Sequence, residues 1–405
     1  MQLTAAPRGV AARVGPLVPA AWYAVAAVAY HLWSRVALRL DWLRFDPITI
    51  HGFPRRSFFS AYTRWDSAWY LRIADTGYFY AGPGQQSAVA FFPAYPAAVR
   101  AAEVVTGDLM VAGLAVSLLS AAAAAVLFVV WASDRLSPRT AVLGLVLVAG
   151  FPYSYYLYGV VYADAFFIAA ALAAFVLLER RHPWLSALAG ALAAAARPIG
   201  LALVAGLVVR NLELDRVLVS RVGAAGRRRL LPALELGRLR LSTLAPALSI
   251  TGFLAFCALL WARFDDPLAF QHTGSADGWY RSLDLRTASK VLWFQLMADG
   301  EPTAGTLTLA VSGLLTVGAL ALLPAVYRRL GWGYCVYTAI AVLLPALTAP
   351  QFLGMGRYLL SAFPLFAVAA AGLERRARAL PAALAVSGAM LLVFSTLFVR
   401  GYYLS

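Results

Sequence analysis

The stretch Arg64-Trp65-Asp66-Ser67-Ala68-Trp69-Tyr70-Leu71-Arg72-Ile73-Ala74-Asp75-Thr76-Gly77-Tyr78 is polar and crowded with aromatic residues, yet it stands between apolar runs long enough to cross a bilayer. With a helix beginning at Asp66, Trp69, Tyr70, Ile73 and Ala74 share one side, and Arg72, Asp75 and Thr76 the other. Such a helix falls far short of the ~20 residues needed to span hydrocarbon. It is expected to lie at the membrane surface, its aromatic face among headgroups and Asp66 at its mouth.

The whole composition points the same way. The 405 residues are 62% hydrophobic and only 13% charged, with a mean hydropathy of +0.73, which excludes an ordinary water-soluble globule. Residues 1–405 read as a single all-α, multi-span membrane domain. The net charge of +15 is carried by arginines in loops between spans, so it is a topology signal and implies no nucleic-acid partner. Lys290 is the sole lysine, and this bias with heavy alanine use reads as a bacterial, GC-rich source and hence a plasma membrane. Cys257 and Cys335 lie inside apolar runs without metal-ligand spacing, so neither a disulfide nor zinc is expected.

Spans are read at Leu17 to Leu38, Leu109 to Trp131, Thr140 to Leu157, Val160 to Leu178, Ser242 to Trp261, Ala304 to Tyr327, Trp332 to Thr348, Gly356 to Leu373 and Pro381 to Val399. The first is read as a retained helix and not a cleaved signal. Residues 39–108 form a long loop. It holds the opening stretch and then Ala90-Phe91-Phe92-Pro93-Ala94-Tyr95-Pro96, whose prolines break any spanning helix.

Residues 184–210, interrupted by Arg197-Pro198, read either as one kinked span or as a hairpin. Charge favours the hairpin. The basic segment 211–241, with Arg216, Arg221, Arg227, Arg228, Arg229, Arg238 and Arg240, and the loop Glu179-Arg180-Arg181-His182 should both be cytoplasmic. That holds only if 184–210 leaves and returns on one side, which brings the total to roughly 10 to 11 helices and puts 39–108 and 263–303 outside. Arg35, Arg39, Arg55 and Arg56 are exceptions to the rule.

The acidic residues then available near the outer face are Asp66, Asp75, Asp108 and Asp164. Ionisable groups bordering hydrocarbon are costly and are retained chiefly for function. For Asp66 and Asp164 the plain alternative is a helix N-cap, a position that favours Asp. For an arginine near a span end it is snorkelling, and for a loop histidine it is simple solvation.

The opening stretch followed by Ala90-Phe91-Phe92-Pro93-Ala94-Tyr95-Pro96 resembles the motif pair of the PIG-V family, the second mannosyltransferase of GPI-anchor assembly and its bacterial relatives. Looser similarity extends to Tyr162-Ala163-Asp164-Ala165-Phe166-Phe167, where the family tends to have Ser-Glu, and to Ala196-Arg197-Pro198-Ile199-Gly200, where Arg-Pro-Asn-Gly is usual. It reaches Gly356-Arg357-Tyr358-Leu359-Leu360-Ser361-Ala362-Phe363-Pro364 as well.

The resemblance implies a GT-C glycosyltransferase that passes a sugar, expected to be mannose, from a polyprenyl phosphate to a lipid or glycan acceptor on the outer side. Asp66 is then the expected base, with Asp164 beside it in the catalytic role of orienting the acceptor or Arg197. Arg197, Arg357 and Arg64 are the expected donor-phosphate ligands, because guanidinium suits phosphate. Trp65, Trp69, Tyr70 and Tyr78, with Gln271 and His272 near Trp279-Tyr280, are candidates to contact substrate. No cofactor is implied, and a need for a divalent metal stays open. The competing class is a multi-span transporter of a lipid-linked or small polar substrate, which would place its charges at the midplane between repeated halves.

Overall fold

A computed structural model describes residues 15, 17–39, 61–219, 232–279, 281–282, 284–300, 303–376 and 378–404. Arg55, Arg56, Arg221, Arg227, Arg228, Arg229 and Tyr280 lie outside the described residues. In order the helices are α1 (Leu17–Leu38), α2 (Ser67–Thr76), α3 (Ala94–Thr106), α4 (Leu109–Ser133), α5 (Pro138–Ala149), α6 (Asp164–Glu179), α7 (Pro183–Ala194), α8 (Gly200–Leu214) and α9 (Leu241–Leu244). They continue with α10 (Thr251–Phe264), α11 (Ala269–His272), α12 (Leu285–Ala288), α13 (Val291–Asp299), α14 (Ala304–Leu330), α15 (Trp332–Thr348), α16 (Met355–Ser361), α17 (Pro364–Leu373) and α18 (Ala379–Val399). The all-α expectation needs one amendment: Leu218–Val219 and Ala233–Leu234 pair as a two-stranded antiparallel ribbon.

Four helical stretches are long and apolar enough to cross a membrane, namely Leu109–Ser133, Leu241–Phe264, Ala304–Leu330 and Ala379–Val399, and α16 with α17 makes a fifth if counted as one broken span. Leucines and valines such as Leu119, Leu188, Leu314 and Val317 stand exposed on these and neighbouring helices, as they would against lipid. The chain is a membrane protein.

Local chemistry sets the boundaries. Asp108 accepts hydrogen bonds from the Met110 and Val111 amides at the start of α4, and Ser137 accepts from Thr140 ahead of Pro138 at the start of α5. Both are side-chain caps for otherwise orphaned donors. Val160 to Leu178 is helical only from Asp164, and Ser242 to Trp261 has a 3₁₀ stretch over Ala245–Ile250, but two other spans differ most from expectation. The run Thr140 to Leu157 is helical only to Ala149, because Gly150 ends α5 and Pro152 follows, and the remainder is a 3₁₀ turn over Ser154–Leu157. The run Gly356 to Leu373 is broken at Ala362-Phe363, before Pro364, into α16 and α17 at 87° to one another.

Two clusters of ionic groups mark opposite ends of the bundle. At the first, Asp164 opens α6 and meets Arg197, between α7 and α8. At the other, Glu179 closes α6 and takes Arg135 at 2.7 Å and Arg210, late in α8, at 2.7 Å. The turn after α6 therefore returns α7 to the first end, and α8 comes back beside Glu179. Residues 184–210 are a hairpin of two helices, its tip at Arg197. The two clusters are separated by the length of α6, whose 16 residues rise about 24 Å.

Candidate active site

The first-end cluster is assembled from four remote places in the chain. Arg357 Nη1 donates to Asp66 Oδ2 at 2.7 Å, and its Nε lies 3.9 Å from Asp164 Oδ1. Arg197 Nη1 donates to the other face of the cluster, to Asp164 Oδ1, and reaches Ser361 Oγ at 3.4 Å. Arg357 thus stands between the two carboxylates. All four charges are withdrawn from solvent, with relative exposures of 9% for Asp66, 1% for Asp164, 5% for Arg197 and 7% for Arg357. An unpaired charge at such depth would be prohibitive, and mutual pairing is what makes the cluster tolerable.

Aromatic rings wall it. The Arg357 guanidinium lies 5.1 Å from the Tyr162 ring centroid, 5.6 Å from Tyr156 and 5.5 Å from Tyr358, and Arg197 lies 5.2 Å from Tyr358. These distances are within cation–π range. Gly356 fits flush against the Tyr153 ring, where any Cβ would collide, so α16 can bring Arg357 this close only with glycine there.

Asp66 occupies the N-cap position of α2, yet its carboxylate makes no capping bond; it goes to Arg357. The Asp66 amide donates to the Tyr162 hydroxyl at 3.0 Å, which fixes the start of the helix by other means. Among the described residues Asp66 Oδ1 accepts no hydrogen bond. Trp65, just before it, has φ of 53°, a left-handed conformation that costs a bulky residue about 1–2 kcal/mol. Tertiary contacts hold it there: its indole N–H donates to Tyr402 O at 3.1 Å, and its ring meets Tyr403 edge-on at 4.9 Å.

The face expected of α2 is largely as read. Tyr70, Ile73 and Ala74 are buried and Arg72, Asp75 and Thr76 exposed. Its surroundings need correcting, because Tyr70 packs on Phe91, Tyr95 and Tyr162, so this face is covered by protein and not by headgroups. Trp69 stacks on Phe79 and Phe91 and meets Trp279 edge-on. Tyr78 donates to Phe91 O at 2.8 Å.

Other expected site residues stand apart from the charge cluster. Arg64 donates to Val399 O at 3.0 Å, where a cation meets the negative end of α18, and it forms no ion pair with Asp66 or Asp164. Gln271 and His272 are exposed on α11; His272 Nδ1 pairs with Asp266 Oδ2 at 2.7 Å. Desolvation raises the Asp266 carboxyl, but hydrogen bonds from His272, the Leu268 amide and Tyr80, with the attraction of His272, together outweigh it and hold the group below the usual carboxylate range. Among the described residues no group of three or more His, Cys, Asp or Glu is placed to hold a metal ion.

Residues that reasoning from sequence missed include Tyr156, Tyr162, Tyr358 and Ser361. Three of them sit inside motif strings already singled out, where the charged neighbour drew the attention. Arg281, whose Nη2 donates to the Tyr358 hydroxyl, carried only the weak signal of following Trp279-Tyr280.

No family model matches the chain, and no curated protein matches it. Among solved structures, the apo oligosaccharyltransferase of Archaeoglobus fulgidus aligns at a TM-score of 0.46 and 12% identity, covering 95% of this chain and 56% of that one. The archaeal oligosaccharyltransferase AglB in complex with an inhibitory peptide and a dolichol-phosphate aligns at 0.43 and 11%, over 94% and 56%. The form tethered to an acceptor peptide containing the NVT sequon aligns at 0.40 and 14%, over 95% and 54%. The chain spans just over half the length of these proteins.

Proposed function

We propose that the protein is a GT-C-type glycosyltransferase that moves a sugar, mannose in the first instance, from a polyprenyl-phosphate donor to a lipid or glycan acceptor. The observation that carries this is the interleaved pair of carboxylates and guanidiniums at one end of the bundle, Asp66 with Arg357 and Asp164 with Arg197. Asp66 Oδ1 is available to take the proton of an acceptor hydroxyl. The acceptor oxygen then bonds to the anomeric carbon as the carbon–oxygen bond to phosphate breaks, and the polyprenyl phosphate departs with one more negative charge than the donor carried. Guanidiniums stabilise that charge.

In this reading the chain crosses the membrane about eleven times, as the alternation of its ends between the two ionic clusters supports. The cluster containing Asp66 faces outward. The arginines at the opposite end, Arg135, Arg180, Arg181, Arg328, Arg329, Arg375 and Arg376, suit a cytoplasmic face. Position at one end, and not at the midplane, favours an enzyme over a transporter.

The test is incubation of the purified protein with radiolabelled polyprenyl-phosphate mannose and a membrane lipid extract. Label should move to a new lipid or glycan species. If the label stays on the donor, and donors with other hexoses are equally inert, the proposal falls.

A further inference from the structure

The buried cluster is electrically closed: Asp66 and Arg357, Asp164 and Arg197, two carboxylates against two guanidiniums. A phosphate brought to it finds no surplus positive charge there. A third guanidinium supplies one. Arg281 Nη2 donates to the Tyr358 hydroxyl, and Tyr358 is the ring that also faces Arg197 and Arg357. The Arg281 guanidinium lies 5.7 Å from that ring's centroid, so one tyrosine is ringed by three arginines. Unlike the other two, Arg281 is exposed and has no carboxylate within 4.0 Å among the described residues.

Its place is built. The Arg281 amide donates to Gly274 O at 2.9 Å, and the next amide, of Ser282, donates to Thr348 O at 3.2 Å at the end of α15. Ser282 Oγ is in turn held by Asp284 at 2.6 Å and Thr287 at 2.9 Å. The backbone is pinned on both sides of the bond between Arg281 and Ser282, while the guanidinium stands at the rim of the cluster with donors to spare.

Building on the function proposed above, we infer that Arg281 is the binding residue for the phosphate of the lipid-linked donor, and that Arg197 and Arg357 chiefly hold the two carboxylates. One cation in excess matches the single negative charge of a sugar phosphodiester. The charge that appears on the leaving phosphate then draws further on Arg357, which is loosened as Asp66 takes its proton. The Tyr358 hydroxyl orients Arg281 and is not itself the anchor.

The experiment measures binding of sugar-free polyprenyl phosphate, with neutral polyprenol as control, to the full-length protein in nanodiscs by tryptophan fluorescence; Trp279 lies two residues from Arg281. Wild type should bind the phosphate and not the alcohol. Arg281→Ala should weaken binding at least tenfold, Arg281→Lys should recover part of it, and Tyr358→Phe, which keeps the ring, should cost no more than threefold. Arg286→Ala, on the same loop, should bind as wild type. Equal binding by Arg281→Ala and wild type would overturn the inference. So would no binding by wild type, or equal losses in Arg281→Ala and Tyr358→Phe, which would mark a loop staple. Arg281-dependent binding without any sugar transfer would leave this inference standing and remove the glycosyltransferase reading instead.

Discussion

Asp66 could be read from sequence as an N-cap or a base, and its side chain is not a cap. The carboxylate that α2 presents at its start is pulled across to Arg357, 291 positions away. Exchange to Asn keeps the shape and a weaker hydrogen bond but removes the charge and the proton acceptor. Asp66→Asn should therefore lower sugar transfer by roughly 10²- to 10⁴-fold, the usual contribution of a general base, while the protein still inserts and elutes as one species. Near-wild-type turnover in the labelled assay would refute the assignment. Arg64 shows the opposite case: a motif residue whose side chain ends on the Val399 carbonyl and so ties the motif to the end of α18.

At the scale of elements, the far-end cluster does for the helices what the first-end cluster does for the site. Glu213, late in α8, accepts from the Trp332 amide at 2.7 Å and the Gly333 amide at 3.2 Å, capping α15 from a different helix, and also holds Arg210 at 3.1 Å. Removing it orphans two helix N-terminal donors and takes from Arg210 one of its two carboxylate partners, Glu179 being the other. Glu213→Ala should cost about 1–3 kcal/mol, seen as a lower apparent melting temperature in detergent. Glu235→Ala, which breaks only an exposed pair with Arg238, should leave that temperature where it is. An unchanged melting temperature in the Glu213 variant would show that the inter-helix cap adds nothing.

For the whole molecule the open quantity is orientation, and the two ends of the bundle make it measurable. With Cys257 and Cys335 replaced by alanine, Asp277→Cys reports on the end that carries Asp66, and Arg139→Cys on the opposite end; both positions are exposed. A membrane-impermeant maleimide applied to intact cells should label the first and reach the second only after lysis. The reverse pattern would put the site in the cytoplasm and exclude a donor presented outside.

Much of this chain could be read from local properties. Hydropathy sets the membrane class, and turn and cap chemistry set several limits closely: Leu17 to Leu38 and Trp332 to Thr348 are helical from end to end as expected. Even the hairpin at Arg197 followed from counting charge in the flanking loops, because the bias of basic loops to one side of the membrane depends on their charge and not on the fold. Tertiary structure alone decided the bend between α16 and α17, the protein cover over Tyr70, and above all which acid meets which base. Hydropathy and helix propensity act within a few residues of where they are written. Ion pairing in a dry interior depends on distances of a few ångströms, and Asp66, Asp164, Arg197, Arg281 and Arg357 come within reach of one another only when five separate segments are packed.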